Sequence, residues 1–252
     1  MALYMIGIGL WDEKDITVKG LEAVRSCKEV FLENYTSRLG VSVKKLEEFY
    51  GKKIVLADRE MVEKHSDKIL GNAKSSDVAF LVIGDVFGAT THTDLYLRAK
   101  EHGIKVLAIH NASVMNAIGI VGLELYKFGK TTSIPFLNEN VEAPYLVIKQ
   151  NRKSKMHTLV LLDIWAHEDK FMTVNQAIEY LLRIEKKRKG KVFTENTLCI
   201  GVARLGSPGQ KILTGKAKDL MNVDFGGPLH CLIVPGELHF VEEEALSQWK
   251  SI

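Results

Sequence analysis

The chain has 252 residues, 46% of them hydrophobic and 26% charged, and a net charge of +3. That length holds one large α/β domain or two smaller ones, and the charge is too mild to mark a nucleic-acid binder by itself. Three cysteines (Cys27, Cys199 and Cys231) form no CxxC pair, which fits a reducing cytosol and excludes a disulfide framework or zinc ribbon.

The apolar start, residues 3–10, is too short to span a bilayer and has no basic leader, so it reads as a first strand. Asp15 and Thr17 supply caps for a helix to about residue 25. Further strands are predicted over 30–32, 53–56, 78–83 and 105–110, with helices over 43–50, 60–73 and 94–102. Strands alternating with helices of this length imply βα units and a largely parallel sheet. The fourth strand stops at Gly84-Asp85-Val86-Phe87-Gly88, a turn where glycines admit close backbone approach and Asp85 offers an acceptor. A ligand loop and an ordinary turn capped by Asp85 or Thr93 both fit that pattern.

In the second half, Asn111-Ala112-Ser113 reads as the cap of a glycine-punctuated helix over 114–122. A loop over 135–144 leads into a helix. A buried strand follows over 157–164, and then an amphipathic helix over 174–187. A strand over 197–203 breaks at Arg204-Leu205-Gly206-Ser207-Pro208-Gly209, and 212–213 and 230–234 are further strands, the last paired antiparallel. A boundary near Asn111 gives domains 1–110 and 111–252.

Gly7-Ile8-Gly9 follows a strand as a dinucleotide fingerprint would, but Asp12 stands where the third small residue is required. The stretch 209–217 is no phosphate loop: five residues separate Gly209 from Gly215, and Ala217 replaces the metal-binding hydroxyl. None of the eight histidines has zinc-ligand spacing, although His230 and His92 sit beside ligand-loop positions. Ser113 lacks a nucleophile elbow, and the basic run 186–191 suits a solvated helix end. The residues thus reach a two-lobed α/β protein with ligand loops at Leu10, 85–88, Ser113 and Gly206, and no reaction.

Several longer motifs run in one order from Ala2 to near the C-terminus. They are Gly7-Ile8-Gly9-Leu10, the stretch 15–22, the stretch 84–92, His110-Asn111-Ala112-Ser113, Leu125-Tyr126-Lys127-Phe128-Gly129, His157-Thr158-Leu159, Leu161-Leu162-Asp163-Ile164 and Ala203-Arg204. Together they resemble the diphthine synthase family, its eukaryotic form more than its archaeal one. The resemblance implies a tetrapyrrole-methylase-like fold of two α/β domains, the first with a mostly parallel sheet and the second with a mixed one. It implies S-adenosylmethionine in a cleft between them, a cytoplasmic homodimer, and no metal, membrane or direct nucleic-acid partner.

The implied substrate is a modified histidine of translation elongation factor 2, methylated three times on nitrogen and, in the eukaryotic form, once more on the carboxylate. Carried over by motif, the cofactor-binding positions are Leu10, Asp85, Gly88, Ser113, Val114, Leu162, Leu205 and His230. No residue is implied as a general base. Val86 departs from the family, which has proline there; valine restores a backbone N–H and frees φ. Tyr35 and Phe87 are aromatic candidates for holding the quaternary ammonium that repeated methylation creates. Two alternatives share these loops: a same-fold methyltransferase for a tetrapyrrole or ribosomal RNA, and a non-catalytic elongation-factor-binding protein.

Overall fold

A computed structural model describes residues 1–138 and 141–250, and the chain divides into two units after Ala117. The expected loop over 135–144 lies partly outside the described residues, at 139 and 140. In the first unit the elements run β1 (Ala2–Gly7), α1 (Val18–Ser26), β2 (Glu29–Glu33), α2 (Val43–Tyr50), β3 (Val55–Ala57), α3 (Arg59–Glu63), α4 (Asp67–Ser75), β4 (Val78–Val82), α5 (Thr93–Glu101), β5 (Lys105–Ile109) and α6 (Val114–Ala117).

Its five strands form one sheet in the order β3-β2-β4-β1-β5, and every pairing is parallel. The side-chain period of two divides the apolar run between the faces. Leu3, Met5, Val78, Phe80 and Val82 pack with Ile69 and Leu70 of α4 and Leu95 of α5. Ile6, Ile8, Ala79 and Leu81 pack with Val24 of α1 and with Leu46 and Tyr50 of α2. Both faces are covered, as a parallel sheet requires.

Three expectations need correction here. The first strand ends at Gly7, because residues 8–10 leave the sheet for a turn. Thr17 alone caps α1, accepting from Gly20 N–H, while Asp15 does something else described below. The helix expected over 60–73 is two, α3 and α4, separated at Lys64-His65-Ser66. The break was invisible to periodicity because Val62 and Ile69, one on each helix, are both buried and seven apart, the spacing of a single helical face.

The second unit runs β6 (Thr132–Ile134), α7 (Ala143–Lys153), β7 (Thr158–Leu162), β8 (Ile164–Trp165), β9 (Lys170–Phe171), α8 (Val174–Arg188), β10 (Leu198–Ala203), β11 (Lys211–Lys216), α9 (Ala217–Leu220), β12 (His230–Val234) and α10 (Phe240–Ser247). Its sheet has the order β11-β10-β12-β7-β6; β6 and β7 are parallel and the other neighbours antiparallel. Val174, Ala177, Ile178, Leu181 and Ile184 lay the apolar stripe of α8 on this sheet, and Thr173 with Gln176 closes a capping box at its start.

The strand expected over 157–164 ends at Leu162, and Ile164-Trp165 instead pairs with Lys170-Phe171 as a separate two-stranded ribbon. The helix expected over 114–122 is one turn of α-helix continued as a 3-10 turn over Ile118–Val121, ended by Gly122 at φ 94°. Among the described residues no helix is long and apolar enough to cross a membrane.

Candidate active site

Three segments leave the carboxyl edge of the first sheet next to one another: 8–17 after β1, 83–92 after β4 and 110–113 after β5. The neighbours β1 and β4 send their chains opposite ways, β1 towards β2 and β4 towards β5. That is the switch point at which open parallel sheets bind ligands. Gly9 and Gly84 tie the first two segments together, with Gly84 N–H donating to Gly9 O at 2.7 Å and Gly9 N–H to Gly84 O at 3.3 Å. Both are left-handed (φ 82° and 87°), a conformation that side chains resist.

Asp85 organises the second and third segments. Its Oδ1 accepts from Asn111 N–H and from His110 Nδ1, both at 2.9 Å, and its Oδ2 accepts from Phe87 N–H at 3.1 Å. Burial raises the carboxyl's pKa, but these hydrogen bonds outweigh it and hold the group below the usual carboxylate range. An ionised carboxylate has about four acceptor sites, so one on Oδ2 stays open, and the side chain is 17% exposed.

Asn111 extends the same network. Its Nδ2 donates to Gly7 O and to Asp15 O, each at 2.9 Å. Asp15 Oδ2 in turn accepts from the consecutive amides of Leu10 at 3.1 Å and Trp11 at 2.7 Å, which fixes the turn that carries Leu10. Ser113 caps α6: its Oγ accepts from Met115 N–H at 3.2 Å, and its own N–H donates to Asn116 Oδ1 at 2.8 Å. Gly88 sits against it so closely that an added Cβ would stand 2.7 Å from Ser113 Oγ. Leu10, Asp85, Gly88, Ser113 and Val114 therefore share one edge of the first unit. Val86 is fully buried in the core beneath the turn.

The other expected positions share one edge of the second sheet. Leu162 closes β7 and is buried, and the registers Cys231↔Leu161 and Ala203↔His230 bring it level with His230 and the turn that holds Leu205. Arg204 shapes that turn. Its guanidinium donates to Gly209 O at 2.9 Å, Phe225 O at 2.7 Å and Gly227 O at 2.6 Å. His230 Nδ1 accepts from Val174 N–H at 3.3 Å, while Nε2 donates to Gly226 O and Gly227 O at 3.1 and 3.0 Å. Burial lowers its pKa, and an acceptor role at Nδ1 requires the neutral ring. Both ring nitrogens are thus spent within the unit, which leaves the ring face for any ligand.

His92 and Tyr35 are less available than their sequence positions suggest. His92 is buried against Phe80 and its pKa falls to about 4 through burial. Tyr35 reaches His92 Nε2 with its hydroxyl at 3.4 Å, and the Arg59 guanidinium lies 5.4 Å from its ring centroid. Phe87 is 38% exposed. Sequence reasoning did not single out Asp15, His110, Asn111 or Arg204 as functional positions. His110, Asn111 and Arg204 share one signal, a polar residue just past the end of an apolar strand, whereas Asp15, eight residues beyond β1, lacks it.

In the first unit, an anionic acceptor with spare capacity and the main-chain groups around it complement a cationic, donor-bearing ligand. Comparison with known proteins turns that chemistry into a family. Tetrapyrrole (Corrin/Porphyrin) Methylases match residues 2–221. The diphthine methyl ester synthase of Dictyostelium discoideum is 51% identical over 97% of this chain and 96% of its own. The chain belongs to the tetrapyrrole methylases, in their diphthine synthase branch.

The diphthine synthase of the archaeon Methanococcus aeolicus is 47% identical over 97% of this chain and 96% of its own. A crystal structure from Entamoeba histolytica, of a protein proposed to be a diphthine synthase, superposes with a TM-score of 0.92 at 50% identity, covering 100% of this chain and 99% of that one. The two-unit α/β fold, with one parallel and one mixed sheet, is the fold of this branch. As a tetrapyrrole methylase the chain is a methyltransferase, and its reaction draws on a methyl donor.

Proposed function

We propose that this methyltransferase takes methyl groups from S-adenosylmethionine and places them on the modified histidine of translation elongation factor 2, ending with the methyl ester. The observation that carries the reading is near-50% identity to diphthine methyl ester synthases over almost the whole chain. The residues proposed for the donor are Leu10, Asp85, Gly88, Ser113 and Val114 of the first unit and Leu162, Leu205 and His230 of the second. The open acceptor site on Asp85 Oδ2 suits a hydroxyl or ammonium of the donor, and the buried Leu162 suits its apolar parts.

The chemistry asks little beyond placement. When bound, the donor would supply an activated methyl to a neutral amine nitrogen, the C–N bond forming as the C–S bonding pair goes to sulfur. After each of the first two transfers a proton passes from nitrogen to water; the third leaves a quaternary ammonium with none to lose. The last transfer forms a C–O bond from the side chain's carboxylate and releases no proton. What the enzyme supplies is alignment, which alone lowers such barriers by several kcal/mol, roughly 7–11 in favourable cases. The proposed assembly is a cytoplasmic homodimer, read by sedimentation.

Mass spectrometry of elongation factor 2 carrying the precursor side chain, after incubation with the chain and S-adenosylmethionine, tests the reading. Successive 14-dalton steps on that histidine are expected. An unmodified factor, with methyl incorporated into a tetrapyrrole or ribosomal RNA instead, overturns it.

A further inference from the structure

The two-stranded ribbon of β8 and β9 stands beside Leu162 and carries an arrangement that the donor site does not use. Asp163 fastens it to the sheet: its Oδ1 accepts from Ile164 N–H at 2.9 Å and its Oδ2 from Phe136 N–H at 2.9 Å. Its own N–H donates to Ile134 O at 3.2 Å, and its carbonyl accepts from Met172 N–H at 3.1 Å. This anchoring sets the Phe136 and Trp165 rings edge to face, with centroids 5.4 Å apart at an interplanar angle of 66°. The Lys170 ammonium, across the ribbon from Trp165, lies 4.5 Å from the centroid of each ring. His167 stacks on Trp165, with ring centroids 6.4 Å apart.

The occupant is what makes this pair informative. A cation centred over two aromatic faces is held by their quadrupoles, and Trp is the strongest such face. A lysine ammonium is compact and strongly hydrated, so it gains little by leaving water for such a site. A trimethylated nitrogen carries the same charge with no N–H to satisfy, and aromatic faces are its usual protein partner. Both rings are only half-buried and Lys170 is exposed, so the ammonium can swing out to solvent.

We propose that Phe136 and Trp165 form a cation face for the quaternary ammonium of the methylated substrate, with Lys170 as the built-in occupant that this group displaces. The inference rests on the elongation-factor reading for the identity of the cation, but not for the existence of the site. The face retains the trimethylated side chain so that its carboxylate is presented for the last transfer.

The test has two arms on the full chain. In the first, choline and its neutral isostere 3,3-dimethylbutan-1-ol are titrated while the Trp165 indole resonance, identified by its loss in Trp165→Leu, is followed by NMR. Choline alone is expected to shift it saturably, about three- to tenfold more tightly in Lys170→Ala and not measurably in Phe136→Leu. In the second, the methylation states of elongation factor 2 are counted by mass spectrometry. Trp165→Leu is expected to accumulate the trimethylated form, with the fully methylated product reduced about tenfold, and Trp165→Phe to recover most of it.

Equal responses to choline and the neutral alcohol overturn the cation face. A wild-type methylation pattern in Trp165→Leu overturns its role in the last transfer. If the wild-type chain methylates no elongation factor 2 at all, the functional reading fails, and the choline arm alone decides the site.

Discussion

Each unit is built around a carboxylate that accepts from a histidine, and the two hubs are put to different uses. In the second unit Glu242 of α10 is fully buried. It accepts from His157 Nε2 at 2.9 Å, from Glu124 N–H at 3.0 Å, from His239 N–H at 2.9 Å and from the Lys127 ammonium. Its pKa drops to about 2: burial pushes it up, and the donors more than reverse this. In the first unit Asp85 is also held below the usual range, yet it keeps an acceptor site open, and its histidine partner is 68% exposed. A depressed carboxyl pKa is common to both and cannot mark the active site. Unspent hydrogen-bonding capacity at a strand's carboxyl end is the mark we propose for it.

The strongest way to break this contrast is to empty the buried hub. Glu242→Ala strands a buried histidine and a half-buried lysine, and is expected to cost about 3–5 kcal/mol of stability by urea denaturation. Donor affinity of the folded fraction should not change. The pH dependence follows from the same groups. Glu242 has a depressed folded pKa, so its stabilisation is complete above the unfolded value near 4.5 and is lost as pH falls towards about 2. His157 is held neutral by burial, with Nδ1 accepting from Gly236 N–H at 3.0 Å. Its pKa is lowered, so stability is already declining as pH drops below the unfolded histidine value near 6.5. Acid denaturation should begin there, and Glu242→Ala should flatten its lower part.

Asp85→Ala is the counterpart in the first unit. Two backbone N–H donors and His110 lose their acceptor, so about 1–3 kcal/mol of stability should go. The difference from Glu242 lies in binding: calorimetric titration with S-adenosylmethionine is expected to show about a 5- to 30-fold loss. Wild-type affinity in a folded Asp85→Ala protein would show that the open acceptor site is not used.

The legibility of the chain follows the same division. Parallel strands buried on both faces leave long apolar runs, so β4 and β5 were readable almost to the residue, as was α2 from its spacing. Gly84 and Asp85 stood out because a turn interrupts such a run abruptly. Asp15 was misread as a helix cap because the residue types that cap helices also gather loop amides; only the fold shows that its acceptor faces Leu10 and Trp11. Glu242 gave no signal, since an acid in a polar helix turn resembles any surface residue until Glu124 and Lys127 arrive from far along the chain. The Phe136–Trp165 pair was hidden for a similar reason: its rings come from separate segments joined through Asp163.

A finer test concerns the packing of Gly88 on Ser113. Gly88→Ala places a methyl 2.7 Å from Ser113 Oγ and 3.0 Å from its Cβ, so one must move. A cost of about 1–3 kcal/mol is expected in the wild-type background, and clearly less in Ser113→Gly, where both offending atoms are absent. The measurement is a double-mutant cycle by thermal melting. Additive costs would show that the turn shifts freely and that this edge is not preorganised.

The smallest effect should come from the histidine of the open hub. His110 Nδ1 donates to Asp85 Oδ1, but the ring is mostly in water and Asp85 keeps both of its backbone donors without it. His110→Ala should therefore cost no more than about 1 kcal/mol, against several for His157→Ala in the closed hub. Salt separates the two further. Where the His110 ring is protonated its contact is an exposed ion pair, so its contribution should fade between about 0.01 and 1 M salt, over which the Debye length shrinks from about 30 to 3 Å. The His157–Glu242 contact admits neither water nor ions, and its contribution should hold. If both respond equally to salt, the two hubs do not differ in the way their exposure implies, and spare capacity at Asp85 loses its standing as the mark of the active site.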